Sequence, residues 1–491
     1  MITEERGLYI VEMLREKLER NPGCLDLSYE RLGDAGIIFL ATQKDLKVVA
    51  QINLSWNELT CKGLAALSQC ATLGNLRHLV LDANEIGDTG AQALADSERL
   101  PNLKTISLIK NSVGDAGALA LIKSPNLKQL ERLSLEMNEL GKQSLTHFPD
   151  GPANTSLQFL NLRKNEIGRD GLEQWLQTGA FAPVKELNLG WNRIDDDGAL
   201  RLSQSPTISK IERLILDSNY IGNKGAQALA RSSHFKSLAG LHMRDNDFDQ
   251  KGEGILLDMH IRILIKDHLK DGVLNLSERN LGNKGVAALA RSERLKDVRS
   301  LCLRDNGLDF KGMMALADSD HLENLEELNL MNNALRNKGA VVLAEAGKLA
   351  KLKTLNLENN GINPIGALAL AGSSNLSSLE SLNLSANDVN EKGASHLASS
   401  KGLKRLKVLK LMDILTSDAG AIALAKSSVL AGLEELYLNG NQITGKGCRA
   451  IIKSSIAKTL KTLDMRRNKL SYEDQIALAD SPLKDLDTLR Y

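Results

Sequence analysis

The chain has 491 residues, and 62 lysines and arginines against 61 aspartates and glutamates leave a formal charge of +1. That balance excludes a general nucleic-acid or polyanion binder, which needs a net basic face. Aromatic residues make up only 3% of a chain long enough for about three ordinary domains, which argues for an elongated repeat array over conventional globular cores.

Residues 3–20 are predicted to form an amphipathic helix, with Thr3 as its N-cap and Leu8, Val11, Leu14 and Leu18 on one face. Its expected role is to cover the open end of the first repeat. The segment carries acids early and lacks the basic and apolar regions of a secretory signal. No apolar run approaches the roughly 18 residues a membrane helix needs. Cys24, Cys61, Cys70, Cys302 and Cys448 are widely spaced with no C-x-x-C, so they read as isolated buried thiols and not as disulfides or a zinc cluster. Together these features predict a cytoplasmic protein without membrane insertion; export into a host cell by a route without a cleavable signal peptide stays open.

From residue 24 a single pattern recurs, tracked on one asparagine. It falls at Asn57, Asn84, Asn111, Asn138, Asn165, Asn192, Asn219 and Asn246, in steps of 27 residues. It resumes at Asn306, Asn333, Asn360 and Asn387, then at Asn441 and Asn468. Glu30, Arg279 and Ile414 hold the same phase without asparagine, and only the step from Asn246 to Arg279 is irregular, at 33 residues. The count is 17 repeats, nine before that step and eight after.

Each position has an expected role. The alternating leucines point inward from a short strand, and the residues between them face outward. The asparagine side chain bonds backbone groups left unpaired at the strand's end, so stacked repeats make a ladder. A glycine six residues further on stands in 15 of the 17 repeats, either as a left-handed turn or as a close approach of helix to sheet. Asp88, Asp115 and Asp418 are expected to be N-caps of their own short helices. No repeat buries its leucines alone, so stacking supplies the stability.

The motif L-x-x-L-x-L-x-x-N-x-I/L-G-D-x-G, carried by Leu76, Leu79, Leu81, Asn84, Ile86, Gly87, Asp88 and Gly90, resembles leucine-rich repeats of the ribonuclease-inhibitor-like class. The A-L-A-x-S endings look closer to bacterial members than to vertebrate ones. The resemblance covers roughly residues 24–485. It implies an α/β solenoid, a horseshoe with a parallel sheet on the concave face and short helices on the convex face.

Two irregularities stand out. Residues 146–152 (Thr146 to Pro152) cannot hold an ordinary helix, and a second amphipathic helix, Gly254 to Leu269, precedes the tenth repeat. Both terminal-type helices lead into a repeat lacking the asparagine, which reads as duplication of a capped module. The expected organisation is a capping helix over 1–23, repeats 1–9 over 24–252, a helical joint or hinge over 253–272, and repeats 10–17 over 273–491, the last incomplete.

No catalytic constellation emerges. The eight histidines show no H-E-x-x-H and no clustering with cysteine, and His260 and His268 read as solvated. Gly440 to Gly447 nearly spells a phosphate loop, but Gly447 stands where a Ser or Thr would reach magnesium, and the string is the repeat motif in phase. No metal and no cofactor are expected. Some proteins with such repeats activate GTPases, yet none of their catalytic residues matches this chain.

The concave face is left as the candidate binding surface. Asn329, Asn356 and Asn383 form an amide row there, which reads either as a way to satisfy a partner's backbone or as an inert soluble face. Trp56 and Trp191 sit just before the asparagine, at the concave edge, while Trp175 falls on a core leucine phase. Tyr29, Tyr220 and Tyr437 are exposed by phase, and such aromatics are common interface anchors. Asp82, Glu136, Asp217 and Glu358 against Arg163, Arg244, Arg304 and Arg466 give mixed charges, which favour a protein partner over a polyanion. The reading is a non-enzymatic protein-binding scaffold, a bacterial effector or adaptor. The alternatives are the regulatory region of a larger receptor and a regulator of a GTPase.

Overall fold

The computed structural model describes residues 2–141 and 154–491. Each described repeat contributes a three-residue strand and most add a helix of eight to ten residues. The chain divides into two compact units, Met1–His260 and Ile261–Tyr491, and the boundary falls inside the 19-residue helix Gln250–His268.

In the first unit, nine strands pair in sequence order from Cys24–Asp26 to Gly240–His242, every pairing parallel. In the second, Leu269–Lys270 pairs antiparallel with Val273–Asn275, and the parallel order then runs to Thr488–Arg490. Register is one residue per repeat, so Leu79 sits beside Ile52 and Ile106. In most repeats the two apolar residues flanking the outward one, such as Leu79 and Leu81 or Leu355 and Leu357, are essentially fully buried. The core of each unit therefore lies between its sheet and its helices.

The asparagine ladder forms. Asn138 Oδ1 accepts from the backbone amides of Asn111 and Val113, each at 3.0 Å, and its Nδ2 donates to the carbonyl of Leu108 at 2.8 Å. Each such side chain is buried or nearly so and closes backbone groups in the preceding repeat.

Two expected roles are corrected by the way repeats stack. Asp88, Asp115 and Asp418 do not cap their own helices; they sit in the first turn, and the N-cap positions are Ile86, Gly114 and Ser417. Their carboxylates reach forward instead. Asp88 Oδ1 accepts from the amides of Gly114 and Gly117, and Asp418 Oδ1 from Thr444 and Gly447. Asp34 and Asp196 do the same, and Asn283 and Asn337 supply the same bonds with an amide oxygen. Asp115 reaches forward to the Gly141 amide at 2.8 Å and also accepts from Trp175 Nε1 at 2.6 Å. Trp175 is fully buried, as its phase predicts, and stacks on Phe181.

The repeated glycine is neither a left-handed turn nor an approach to the sheet. Gly90, Gly117 and Gly447 have ordinary φ, and each meets the start of the preceding repeat's helix. A Cβ on Gly117 would lie 2.9 Å from Asp88 Cα and 3.0 Å from Ala91 Cβ. The space it vacates is what lets the forward carboxylate bond reach.

The first helix runs Glu4–Arg20 and Thr3 caps it through the Arg6 amide. Its buried face is Gly7, Ile10, Met13 and Leu14, whereas Leu8 is exposed, so the face is rotated from the expected one. Glu30 replaces asparagine because the first repeat has no repeat before it; its carboxylate instead accepts from Lys17 at 2.8 Å and the Tyr9 hydroxyl at 3.1 Å. Arg279, in the same phase of the tenth repeat, pairs with His268 Nε2 at 2.5 Å. The irregular segment 146–152 lies outside the described residues.

Candidate protein-binding site

The residue just before each asparagine phase is in the left-handed region throughout. In the first unit φ is 63° at Tyr29, 58° at Trp56, 54° at Ala83, 58° at Lys110, 57° at Met137 and 58° at Trp191. The chain must turn sharply out of the strand there so that the next side chain points back into the ladder. Gly440 is the only glycine in this column, and a bulky side chain in such a conformation is unusual. The turn also throws the side chain outward: Tyr29 is 68% exposed, Trp56 46% and Trp191 51%.

Tyr29 and Trp56 stack with ring centroids 5.6 Å apart and planes within 10°. Ala83, next in the column, leaves room for Lys110 Nζ to lie 5.0 Å over the Trp56 ring. The column after the asparagine supplies Arg31, Glu58, Glu85, Ser112 and Glu139, and both columns line one cavity of about 620 Å³ that also reaches Met137. Trp191 has a smaller setting of its own, with Arg163 and Lys164 at 5.9 and 5.8 Å from its ring.

The other expected residues sit differently. The amide row is turned onto its own backbone: Asn329, Asn356 and Asn383 Oδ1 each accept from the amide two residues on, at 3.0 Å. Asn383 Nδ2 also donates to Glu358 at 2.9 Å. Arg163 is held by Glu136 at 2.6 Å and Arg466 by Asp464 at 2.5 Å, while Arg304 pairs with Glu278 and with Asp305. Arg244 is exposed, and Tyr220 is 59% exposed just past the ladder. Tyr437 is half-buried on its strand, contrary to expectation, with its hydroxyl on Glu435 at 2.9 Å and Lys410 over its ring. Burial and the Glu435 carboxylate raise its pKa. The expected set thus does not form one site. Tyr29 and Trp56 come together, Arg163 lies beside Trp191, and Asn329, Asn356 and Asn383 pair in register on adjacent strands. The first pair is joined by Lys110, Met137, Glu58 and Glu85, which single-residue ranking overlooks and column-by-column alignment of the repeats would have found.

A model described as Leucine Rich repeat matches residues 75–95, 153–174, 183–203, 207–230, 321–344, 348–371, 375–398 and 433–451. These eight segments are leucine-rich repeats. The fold they build is a leucine-rich-repeat solenoid, with parallel strands and alternating short helices. Among solved structures, the chain is similar to an internalin (inlF) from Listeria monocytogenes, at 16% identity over 93% of this chain and 94% of that one, TM-score 0.30. It is similar to a TDR receptor at 16% identity over 95% and 67%, TM-score 0.29, and to the plant peptide hormone receptor RGFR1 at 15% over 86% and 79%, TM-score 0.26. No curated protein matches.

The leucine-rich-repeat geometry also disposes of the phosphate-loop reading. The amides of Thr444 and Gly447 are already spent on Asp418, and that of Lys446 on the Thr444 hydroxyl. Burial pushes the Asp418 carboxyl up, but bonds from the Thr444 hydroxyl and these amides outweigh it and hold it below the usual range. Asp115 is the opposite: burial dominates its bonds to Trp175 and Gly141 and raises it. Cys70 and Cys448 are buried, with the Cys448 thiol pushed up to about 11 by burial, whereas Cys24, Cys61 and Cys302 are only half-buried. Among the described residues no group of three metal-ligating side chains occurs, and no helix is long and apolar enough to cross a membrane.

Proposed function

We propose that this leucine-rich-repeat solenoid is a non-enzymatic scaffold that binds a protein partner through the sheet side of its first unit, with the Tyr29–Trp56 pair at the centre. The observation that carries this is a stacked pair of exposed rings beside a cavity of about 620 Å³. Exposed aromatic side chains grouped at a cavity are the usual anchors of a protein interface. Trp191, Tyr220 and Arg244 extend the same side of the unit as secondary contacts.

The finer parts belong to the same proposal: membership of the ribonuclease-inhibitor-like class, a bacterial source, action in a cytoplasm as an adaptor or effector, and an array of two capped modules joined over 253–272. The test is affinity capture with the wild type, Trp56→Ala and Trp191→Ala in parallel. A stoichiometric partner held by the wild type and lost on Trp56→Ala is expected. A partner retained by both variants would remove the surface from consideration.

A further inference from the structure

We propose that the helix side of the second unit pairs with a second copy of this chain through repeats 11–13, independently of the sheet-side reading above. Three neighbouring helices carry it, Phe310–Ala317, Arg336–Glu345 and Pro364–Gly372. Residues three and seven positions apart share one face of a helix. Down the middle of that face runs an apolar stripe, with Met314, Val341 and Leu368 from successive helices. Met314 is 45% exposed and Leu368 51%, while Val341 is half-buried. Exposed Lys311, Lys338 and Ile365 flank the stripe toward the helix starts, and exposed Asp318, Glu345 and Gly372 flank it toward the ends. Among the described residues, none of the four charged side chains makes an ion pair. Lys338 lies 5.2 Å over the Phe310 ring, and Lys348 takes the Asp318 carbonyl and the Asp320 carboxylate, which leaves the Asp318 carboxylate open.

This face is its own complement. A two-fold axis along the stripe, between the copies, lays each helix antiparallel on its counterpart. Lys311 then meets Asp318 of the second copy and Lys338 meets Glu345, each twice by symmetry. Ile365, 64% exposed, meets Gly372, where an added Cβ would find no atom within 4 Å, so a large side chain faces a dent. The stripe residues meet their own equivalents and leave water. A stripe alone suits any apolar surface; the opposite rows of charge, ordered repeat by repeat, select this one. The match ends at repeat 10, with Lys284 and Arg291, and at repeat 14, with Lys392 and Ser399. Helices about 9 Å apart and about 15 Å long give a patch of about 400 Å², half of the roughly 800 Å² a stable interface buries on each partner. The dimer is therefore weak and dissociates on dilution.

The test is sedimentation equilibrium on the full chain, up to about 1 mM, with Lys311→Glu/Lys338→Glu and Asp318→Lys/Glu345→Lys as charge-reversal variants. All four positions are exposed, and circular dichroism checks that both variants keep the fold. The wild type should show a monomer–dimer equilibrium that shifts with concentration. Each variant alone should dimerise about tenfold more weakly or worse, because like charges then face each other. Mixed one to one, the two variants should pair again to within about threefold of the wild-type affinity, because each row then faces its opposite. A wild type that stays monomeric at the highest concentration, a dimer indifferent to both reversals, or a mixture that pairs no better than its components would overturn the proposal.

Discussion

The column before the asparagine has the same left-handed backbone in both units and different chemistry. In the first unit it reads Tyr29, Trp56, Ala83, Lys110, Met137, Lys164, Trp191, Ser218, Asp245, and the rings of Tyr29 and Trp56 stand out beside a cavity. In the second it reads Glu278, Asp305, Asn332, Asn359, Ala386, Asp413, Gly440, Arg467. There the side chains satisfy one another: Asn332 donates to Asp305 at 3.3 Å, Asn359 to Asn332 at 3.1 Å, and Arg467 reaches Asp413 at 3.2 Å. Both units carry charge pairs where their strands begin: Lys104–Glu131 at 2.7 Å and Lys185–Glu212 at 3.3 Å in the first, and Glu326–Lys353 at 2.7 Å, Glu380–Lys407 at 2.8 Å and Glu434–Lys461 at 2.6 Å in the second. Repeat geometry therefore fixes where a side chain is presented, and the residue chosen decides whether the position is closed within the array or left open to a partner.

The largest expected effect divides the two columns by binding. Trp56→Ala should weaken a captured partner by about 2 kcal/mol, some thirtyfold, whereas Asn332→Ala should leave affinity within twofold in the same titration. Similar losses from both would erase the distinction.

Next come the forward-reaching carboxylates, one from each unit. Asp418→Ala orphans the amides of Thr444 and Gly447 and should cost about 1–3 kcal/mol in denaturant unfolding at pH 7. Because the folded pKa of Asp418 lies below its unfolded value, its contribution is present above about pH 3.9 and fades as pH falls through the folded pKa. Asp115 has the reverse sign. Its raised folded pKa costs stability as pH rises through it, so the protein with Asp115 should lose stability between about pH 4 and that folded value, a slope that Asp115→Asn should remove. The asparagine has one accepting oxygen where the aspartate uses two, for Trp175 Nε1 and for the Gly141 amide, so the variant also loses one of these bonds. An unchanged pH slope in Asp115→Asn would contradict the burial argument.

Smaller is the backbone effect. Ser218→Gly relieves a left-handed residue in the first unit and should add about 0.5–1 kcal/mol in thermal or denaturant unfolding. Asn359→Gly should add almost nothing, since asparagine tolerates this conformation and its bond to Asn332 is lost. The smallest is Lys407→Glu, expected to lower Tm slightly at low salt and not at high salt, because the pair with Glu380 is exposed.

Much of this architecture was readable from the repeat alone. The leucine alternation and the asparagine phase predicted strand, ladder and core because a 27-residue period repeats the same contact in each copy. Trp175 was placed correctly for the same reason. What stayed hidden depends on the neighbour across the stack. The bonds of Asp88 and Asp418 close on amides 26 and 29 residues ahead, so a reading confined to one copy assigned them to their own helix. Leu8 satisfies a helical periodicity, yet the first helix packs through Gly7, Ile10 and Met13, because that face meets the array and no periodicity within the helix records the fact. The left-handed column left no trace because almost none of its residues is glycine. The candidate site was half visible: aromatic type identified Tyr29 and Trp56, but Glu58, Glu85, Lys110 and Met137 gain meaning only when adjacent copies are laid side by side.

All three tryptophans lie in the first unit, at 56, 175 and 191, so 5-fluorotryptophan labelling with ¹⁹F NMR reports on the site directly. Titration with the captured partner, with resonances assigned from single Trp→Phe variants, should shift the Trp56 signal saturably. The buried Trp175 should stay fixed, and Trp191, a secondary contact, should move less than Trp56. A Trp56 resonance unmoved at saturating partner would contradict the placement of the binding site at the Tyr29–Trp56 pair.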